Sequence, residues 1–348
     1  MTPRRQATRK STAPQAAPAT KEQPRAEAAA QKAAAAEHLR VGPAGWSYPD
    51  WAGIVYPAKR PRGFHEAAFL AEYFDTIEIN TSFYQPLKPE NCAHWIELVA
   101  ANPRFRYTAK LWQKFTHEPG ATTEDEKAVR AGFDLLHRGG RLGAVLIQFP
   151  FSFHRTDENL RYLDGLLDRF RDYPLVVEVR HATWNDAAFF EFLGERGVGF
   201  CNIDQPVIGR SLKPSERATG PVAYVRLHGR RYDTWFSDDP SVPPSERYNY
   251  LYSGSELKPW VERIRAMVTQ AHQGGGGQAL QKAGGQVYVV TNNHYQGKAV
   301  VNALQLISLL KGAKVKVPET LRHHYPQLEE IASEPAAEPT LFPMPPKE

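Results

Sequence analysis

Short apolar runs rich in β-branched and aromatic residues recur along the chain at 41–46 (VGPAGW), 76–80 (TIEIN), 105–111 (FRYTAKL), 142–149 (LGAVLIQF), 175–180 (LVVEVR), 199–204 (GFCNID), 223–228 (AYVRLH) and 287–293 (VYVVTNN). Runs of this length and composition read as buried parallel strands. Most intervals between them carry a helical period: 65–74, 90–101, 126–138, 158–172, 186–196 and 257–272, with 297–311 after the last run. Eight strand runs with helical segments in most of their intervals predict an α/β chain folded as a single (β/α)8 TIM-type barrel, which needs ~250 residues. An open doubly wound sheet would carry a Gly-rich phosphate turn after its first strand, and GWSYPDW is not one.

Polar residues interrupt these runs near their C-terminal ends: Glu78, Lys110, Gln148, Glu178, Arg180, Asp204, Arg226, His228, Asn292 and Asn293. Side chains alternate across a strand, so Glu178 pairs in direction with Arg180, Arg226 with His228, Asn202 with Asp204, and Glu78 with Asn80. The residues between them are apolar and suit the helix-facing side, so the polar sets are expected in the lumen. The C-terminal rim is where this fold keeps its active sites. Three carboxylates (Glu78, Glu178, Asp204) would then meet three cations (Lys110, Arg180, Arg226). A self-neutralising ion plug is the alternative, but apolar layers would fill a barrel without desolvating six charges.

The residue types suggest roles. Glu178, Asp204, His228 and Glu78 are the candidate acid–base groups. Lys110, Arg180 and Arg226 suit an anion or a developing oxyanion, and Gln148 and Asn293 suit hydroxyls. Trp46, Tyr48 and Tyr84 follow strand ends and suit a flat or sugar-like ligand. His117 and His181 fall in loops after the third and fifth strands. No cofactor is identified. A divalent metal, if bound, would take Glu178, Asp204 and His228, although the nearby cations oppose it. The 229–256 segment, with Trp235 and several tyrosines, is long enough to act as a lid.

The net charge of +5 belongs to the tail. Residues 1–40 hold eight Lys/Arg against three Glu, and the remaining 308 hold 35 of each sign. The expected organisation is a disordered Ala/Pro/Lys/Arg-rich tail over 1–37, a barrel domain over 38–325 with a flexible Gly-rich insert at 273–285, and a loose Pro-rich tail over 326–348. No run of ~20 apolar residues and no signal-like apolar segment is present, so a cytoplasmic chain with no membrane association is expected. Two cysteines, Cys92 and Cys201, cannot form a disulfide framework. The alternation places Cys201 on the outer face of its strand.

VGPAGWSYPDWAGIVYP, EINTSFYQP, AKLWQKFTHE, LGAVLIQFPFSF, VVEVRHATW, YVRLHGR and NNHYQGKAVVNA resemble, in order, the motifs of the YecE-like family (domain of unknown function 72). The resemblance spans about 41–311 and implies a TIM barrel without an established reaction. The family-like positions include Trp46, Tyr48, Glu78, Lys110, His117, Gln148, Glu178, Arg180, His181, Asp204, Arg226, His228 and Asn293. Pro43 inside the first strand departs from the expected ladder, and Phe151 stands where a second Pro is expected.

The first functional expectation is a small-molecule enzyme doing acid–base chemistry, of hydrolase or isomerase/lyase type, on a polar, anionic or sugar-like substrate. The alternatives are a nucleic-acid-associated barrel that uses the basic tail, and a non-catalytic ligand-binding barrel. The neutral balance of the 308 residues weighs against the nucleic-acid reading, because such binding rests on phosphate neutralisation.

Overall fold

A computed structural model of the chain describes residues 37–118, 120–235, 239–273 and 285–334. Eight strands form: β1 (Leu39–Pro43), β2 (Thr76–Ile79), β3 (Arg106–Lys110), β4 (Leu142–Gln148), β5 (Leu175–Glu178), β6 (Gly199–Asp204), β7 (Val222–Leu227) and β8 (Gln286–Thr291). The helices are α1 (Glu66–Ala71), α2 (Pro89–Leu98), α3 (Thr123–Arg138), α4 (Asp157–Phe170), α5 (Ala187–Glu195), α6 (Gly254–Gln273), α7 (Lys298–Lys311) and α8 (Glu319–His324). The tail over 1–36 and the insert over 274–284 lie outside the described residues.

The helices start where side chains satisfy their free N–H groups. Thr122 and Asp125 form a capping box on α3, and Thr156 caps α4. The α4 sequence then places Leu163, Leu166, Leu167 and Phe170 on one buried face.

The strands are parallel in the order β1-β8-β7-β6-β5-β4-β3-β2, as a barrel requires. The ends meet through an Ala44–Glu78 bridge, in which Gly45 N–H donates to the Glu78 carbonyl at 2.8 Å. This seam is short for a local reason. Ala44 N–H points to Thr291 of β8 and Gly45 N–H to Glu78, so the odd positions of β1 face β2. Pro43 therefore brings its missing donor to the β1–β2 seam, and the β8 ladder stays intact without a bulge. A second thin seam lies between β5 and β6, which pair only through Val176–Gly199 and Val177–Phe200. The barrel is thus two four-stranded halves, β2–β5 and β6–β1, joined by little backbone pairing.

Unit six differs from the others. Residues 205–221 carry no helix, so a loop covers β6 from outside. At the C-terminal end, the segment expected to be loose from Pro326 forms a 3-10 turn over Pro326–Glu330. It buries Leu328 and pairs Val315 with Ala332, an apolar anchor that its acidic, Pro-rich composition conceals. No described helix is long and apolar enough to cross a membrane.

Gly42 allows β1 to approach β2. A Cβ at Gly42 would lie 1.9 Å from the Thr76 carbonyl oxygen, whereas one at Gly165 in α4 would meet nothing within 4 Å. Gly42→Ala is expected to lower stability by roughly 1–3 kcal/mol in urea unfolding, as overpacking does. Gly165→Ala should raise it by roughly 0.5–1 kcal/mol. Equal effects would contradict the close approach at the seam.

Candidate active site at the C-terminal rim

Arg226 is the centre of the lumen. It sits near the end of β7, fully buried, and its guanidinium reaches three strands of the opposite half. Nη2 donates to Glu78 Oε1 at 2.7 Å, and Nη1 donates to Glu178 Oε2 at 2.7 Å and to Gln148 Oε1 at 3.1 Å. Tyr224, two residues earlier, donates its hydroxyl to Glu78 Oε2 at 2.9 Å and lies 2.7 Å from the Thr108 hydroxyl. Arg180 closes the far side of Glu178, with Nε and Nη2 on Oε1 at 3.1 and 2.9 Å. Every oxygen of Glu78 and Glu178 therefore already accepts a strong donor.

This arrangement sets the charge states. Burial alone would push the Glu178 carboxyl up, but the guanidiniums of Arg226 and Arg180 override it and hold Glu178 well below the usual carboxylate range. His228 is buried with its Nδ1 3.0 Å from Asn292 Nδ2 and its Nε2 3.6 Å from Glu178 Oε1. Burial, followed by the charge of Arg226, lowers it to about 3, so the imidazole is neutral at pH 7. With Asn292 donating to Nδ1, the proton sits on Nε2, which lies beyond hydrogen-bond distance of Glu178. His228 Nε2 and Arg226 Nε are buried with no hydrogen-bond partner among the described residues.

Lys110 ends β3, half-buried at the mouth, with Nζ 5.3 Å from the centre of the Phe83 ring. Burial, then the charge of Arg226, lowers it to about 8. Tyr48 and His294 stack face to face at 4.4 Å, and Tyr248 lies 4.9 Å from His294. Trp235, from the loop after β7, covers the rim 6.0 Å from His228 and 5.9 Å from the Arg180 guanidinium. Tyr84 is 67% exposed, and His117 is exposed beside Phe83 at 5.0 Å.

Six placements differ from the sequence expectation. Asp204 faces outward, not into the lumen. It accepts two bonds from Arg230, at 2.9 and 2.7 Å, and one from the Trp260 indole N–H of α6. Asn202 also faces outward, and Cys201 faces inward, 3.7 Å from Glu178 Oε2. Alternation gives relative direction only, and the absent helix of unit six reverses the usual polarity. Asn202 binds the backbone and Ser215 of the covering loop, which a helix would not need. Asn293 turns to Asn302 of α7 and the Tyr250 carbonyl. Trp46 packs outward on Trp95 of α2 at 5.1 Å and on Tyr107 at 6.0 Å. His181 is buried in its own turn, bonded to Thr183 and 4.0 Å from His154.

Glu178, Asp204 and His228 therefore do not converge as a metal trio, and no group of three such ligands occurs among the described residues. Thr108, Tyr224 and His294 were missed. Tyr224 was legible from the alternation that placed Arg226 and His228. Thr108 was likewise legible from Lys110. A cleft of about 770 Å³ lies elsewhere, on the outer wall between α5, α6 and the 214–219 loop, and includes no rim residue.

Three comparisons bear on identity. Residues 40–327 match the family described as "Protein of unknown function DUF72". UPF0759 protein YunF of Bacillus subtilis (strain 168) is 28% identical over 285 residues, 78% of this chain and 94% of that protein. A crystal structure of a DUF72 family protein from Thermotoga maritima MSB8 is 30% identical, with a TM-score of 0.64 over 78% of this chain and 99% of that one. Another, from Enterococcus faecalis V583, is 22% identical with a TM-score of 0.64 over 81% of this chain and 98% of that one.

The neutral state of His228 predicts a pH dependence. The unfolded imidazole takes a proton near ~6.5 and the folded one near about 3. Between these values the unfolded state binds more protons, so stability falls as pH drops, by about 1.4 kcal/mol per pH unit. The depressed Glu178 adds stability that is present above ~4.3 and is lost as pH falls further. Urea unfolding of His228→Asn between pH 6 and 4 should show a slope smaller by about one proton. An unchanged slope would mean that His228 is not held neutral.

Proposed function

Because the chain belongs to the DUF72 family, whose description names no reaction, we propose from the rim itself that it acts on a small, polar, sugar-like molecule carrying one anionic group. The observation that carries this reading is a charge surplus. With Asp204 outside the lumen, three cations (Lys110, Arg180, Arg226) meet two carboxylates (Glu78, Glu178). Arg226 is buried against both carboxylates, so the surplus lies at Lys110 and Arg180, toward the mouth. A monoanion there restores neutrality in a site already screened from water.

The chemistry proposed is proton transfer. Glu178, pinned by two guanidiniums, is a weak base and serves to fix Arg180, Arg226 and His228 in place. His228 presents an N–H donor to a substrate oxygen, and Lys110 is the group in this set that titrates nearest neutrality. Tyr48 and His294 supply a flat wall suited to a sugar face, and Trp235 covers the bound molecule. The reaction class that follows is isomerase, lyase or hydrolase chemistry driven by acid–base groups. The tail over 1–36, on which a nucleic-acid role would depend, lies outside the described residues.

Calorimetric titration with gluconate, glucose 6-phosphate and glucose tests the reading. The anions should bind and glucose should bind at least about tenfold more weakly, a difference of about 1.4 kcal/mol. Arg180→Gln should erase that preference while the unfolding transition stays cooperative. Equal binding of the neutral sugar, or anion preference that survives Arg180→Gln, would refute it.

A further inference from the structure

The surplus cation at the mouth has an unusual setting. Lys110 Nζ forms no ion pair and no hydrogen bond among the described residues, although two carboxylates share its lumen. The geometry explains why. Glu78 Oε1 and Oε2 are taken by Arg226 and Tyr224, and Glu178 Oε1 and Oε2 by Arg180 and Arg226. Each carboxylate oxygen thus already faces at least one donor, and none is paired with the Lys110 ammonium. Lys114, four residues on, is the contrast, since it pairs with Asp125 at 2.9 Å.

We propose that Lys110 is a catalytic amine that condenses with the carbonyl group of an open-chain sugar or related carbonyl compound to form an iminium. This rests on the rim being the small-molecule site argued above, and it narrows the substrate class to molecules with an aldehyde or ketone. Amines become nucleophiles in proteins when desolvated or set beside another cation, and Lys110 has both conditions. The groups facing it are Arg226 of β7, Arg180 and Glu178 from β5, Glu78 of β2, His117 after β3 and His294 after β8. The guanidiniums disfavour an ammonium, and the carboxylates, neutralised by those guanidiniums, only partly offset them. Burial is the larger effect, and together they bring Lys110 to about 8.

The step balances. The free amine's lone pair attacks the carbonyl carbon, one N–H proton passes to the former carbonyl oxygen, and a carbinolamine forms. That oxygen takes a second proton from solvent, its bond to carbon breaks, and it leaves as water. The resting ammonium first gives one proton to solvent to become that free amine, so the iminium carries the same single positive charge and the site's charge is unchanged. The iminium then acidifies the neighbouring C–H, which is the bond an isomerase or lyase must break. The neutral His228 offers its N–H to a substrate oxygen without adding a further positive charge.

Reductive trapping tests the proposal on the full-length wild-type chain. The protein is incubated with glycolaldehyde and sodium cyanoborohydride at pH 7.5, and each lysine's hydroxyethylation rate is read by peptide mass spectrometry. An amine titrating near 8 holds on the order of 200-fold more free base at this pH than one at 10.5. Lys110 should therefore label on the order of 100-fold faster than Lys114 and the exposed lysines. Its rate should level off above an apparent value near 8. Labelling no faster than Lys114, with a rate still rising beyond pH 9, overturns the proposal. That result is separable from the site reading, because Arg180-dependent gluconate binding would still stand.

Discussion

One guanidinium holds this barrel together at its weakest places. Strand pairing between the two four-stranded halves thins to a single bridge at β1–β2 and two residue pairs at β5–β6, where a His181–Ser211 bridge between the following loops adds to it. Arg226 belongs to one half, and its three side-chain partners, Glu78, Gln148 and Glu178, all belong to the other. Glu78 also supplies the carbonyl that closes the β1–β2 seam. Buried pairs seldom stabilise a fold relative to apolar packing, but removing one partner strands a charge, at a cost of about 3–5 kcal/mol. The lumen is thus committed to this polar set once it is in place.

The same commitment shapes the chemistry. Glu178, held by two guanidiniums, keeps its charge and surrenders its basicity. The proton transfer we propose would therefore fall to the neutral His228 and the half-buried Lys110, which no carboxylate oxygen holds by a hydrogen bond. Outside the lumen, Asp204 has a different task. Its bonds to Arg230 and Trp260 tie the start of the 229–253 loop to β6 and α6, and Tyr252 accepts the Gly229 N–H at 2.8 Å. Trp235 of that loop is thereby held over Arg180 and His228.

The fold was legible because eight apolar runs and their helical intervals each carry a local period. Most of the rim was legible for the same reason: Glu78, Glu178, Arg226 and His228 interrupt apolar alternation, and only the lumen gives such charges a common place. The failures have one source. Alternation says which residues share a face, and which face is inward depends on what covers the strand. On β6 the cover is a loop whose backbone binds Asn202, while Arg230 and the Trp260 indole of α6 hold Asp204 on the same outer face, so Cys201 turns in. Trp46 and Asn293 follow their strands and meet partners on helices, Trp95 and Asn302, whose positions no local pattern contains. His294 lies within a motif, but its stacking on Tyr48 joins the segments after the first and last strands, which no local pattern contains.

The most direct test of the central claim is a double-mutant cycle between Arg226→Met and Glu78→Gln, read by urea unfolding. If the buried pair couples the two halves, Arg226→Met alone should cost about 3–5 kcal/mol. Adding Glu78→Gln should then recover part of that loss, with a coupling energy above about 1 kcal/mol. Costs that add to within about 0.5 kcal/mol would contradict the account, because independent residues cannot be the joint between the halves.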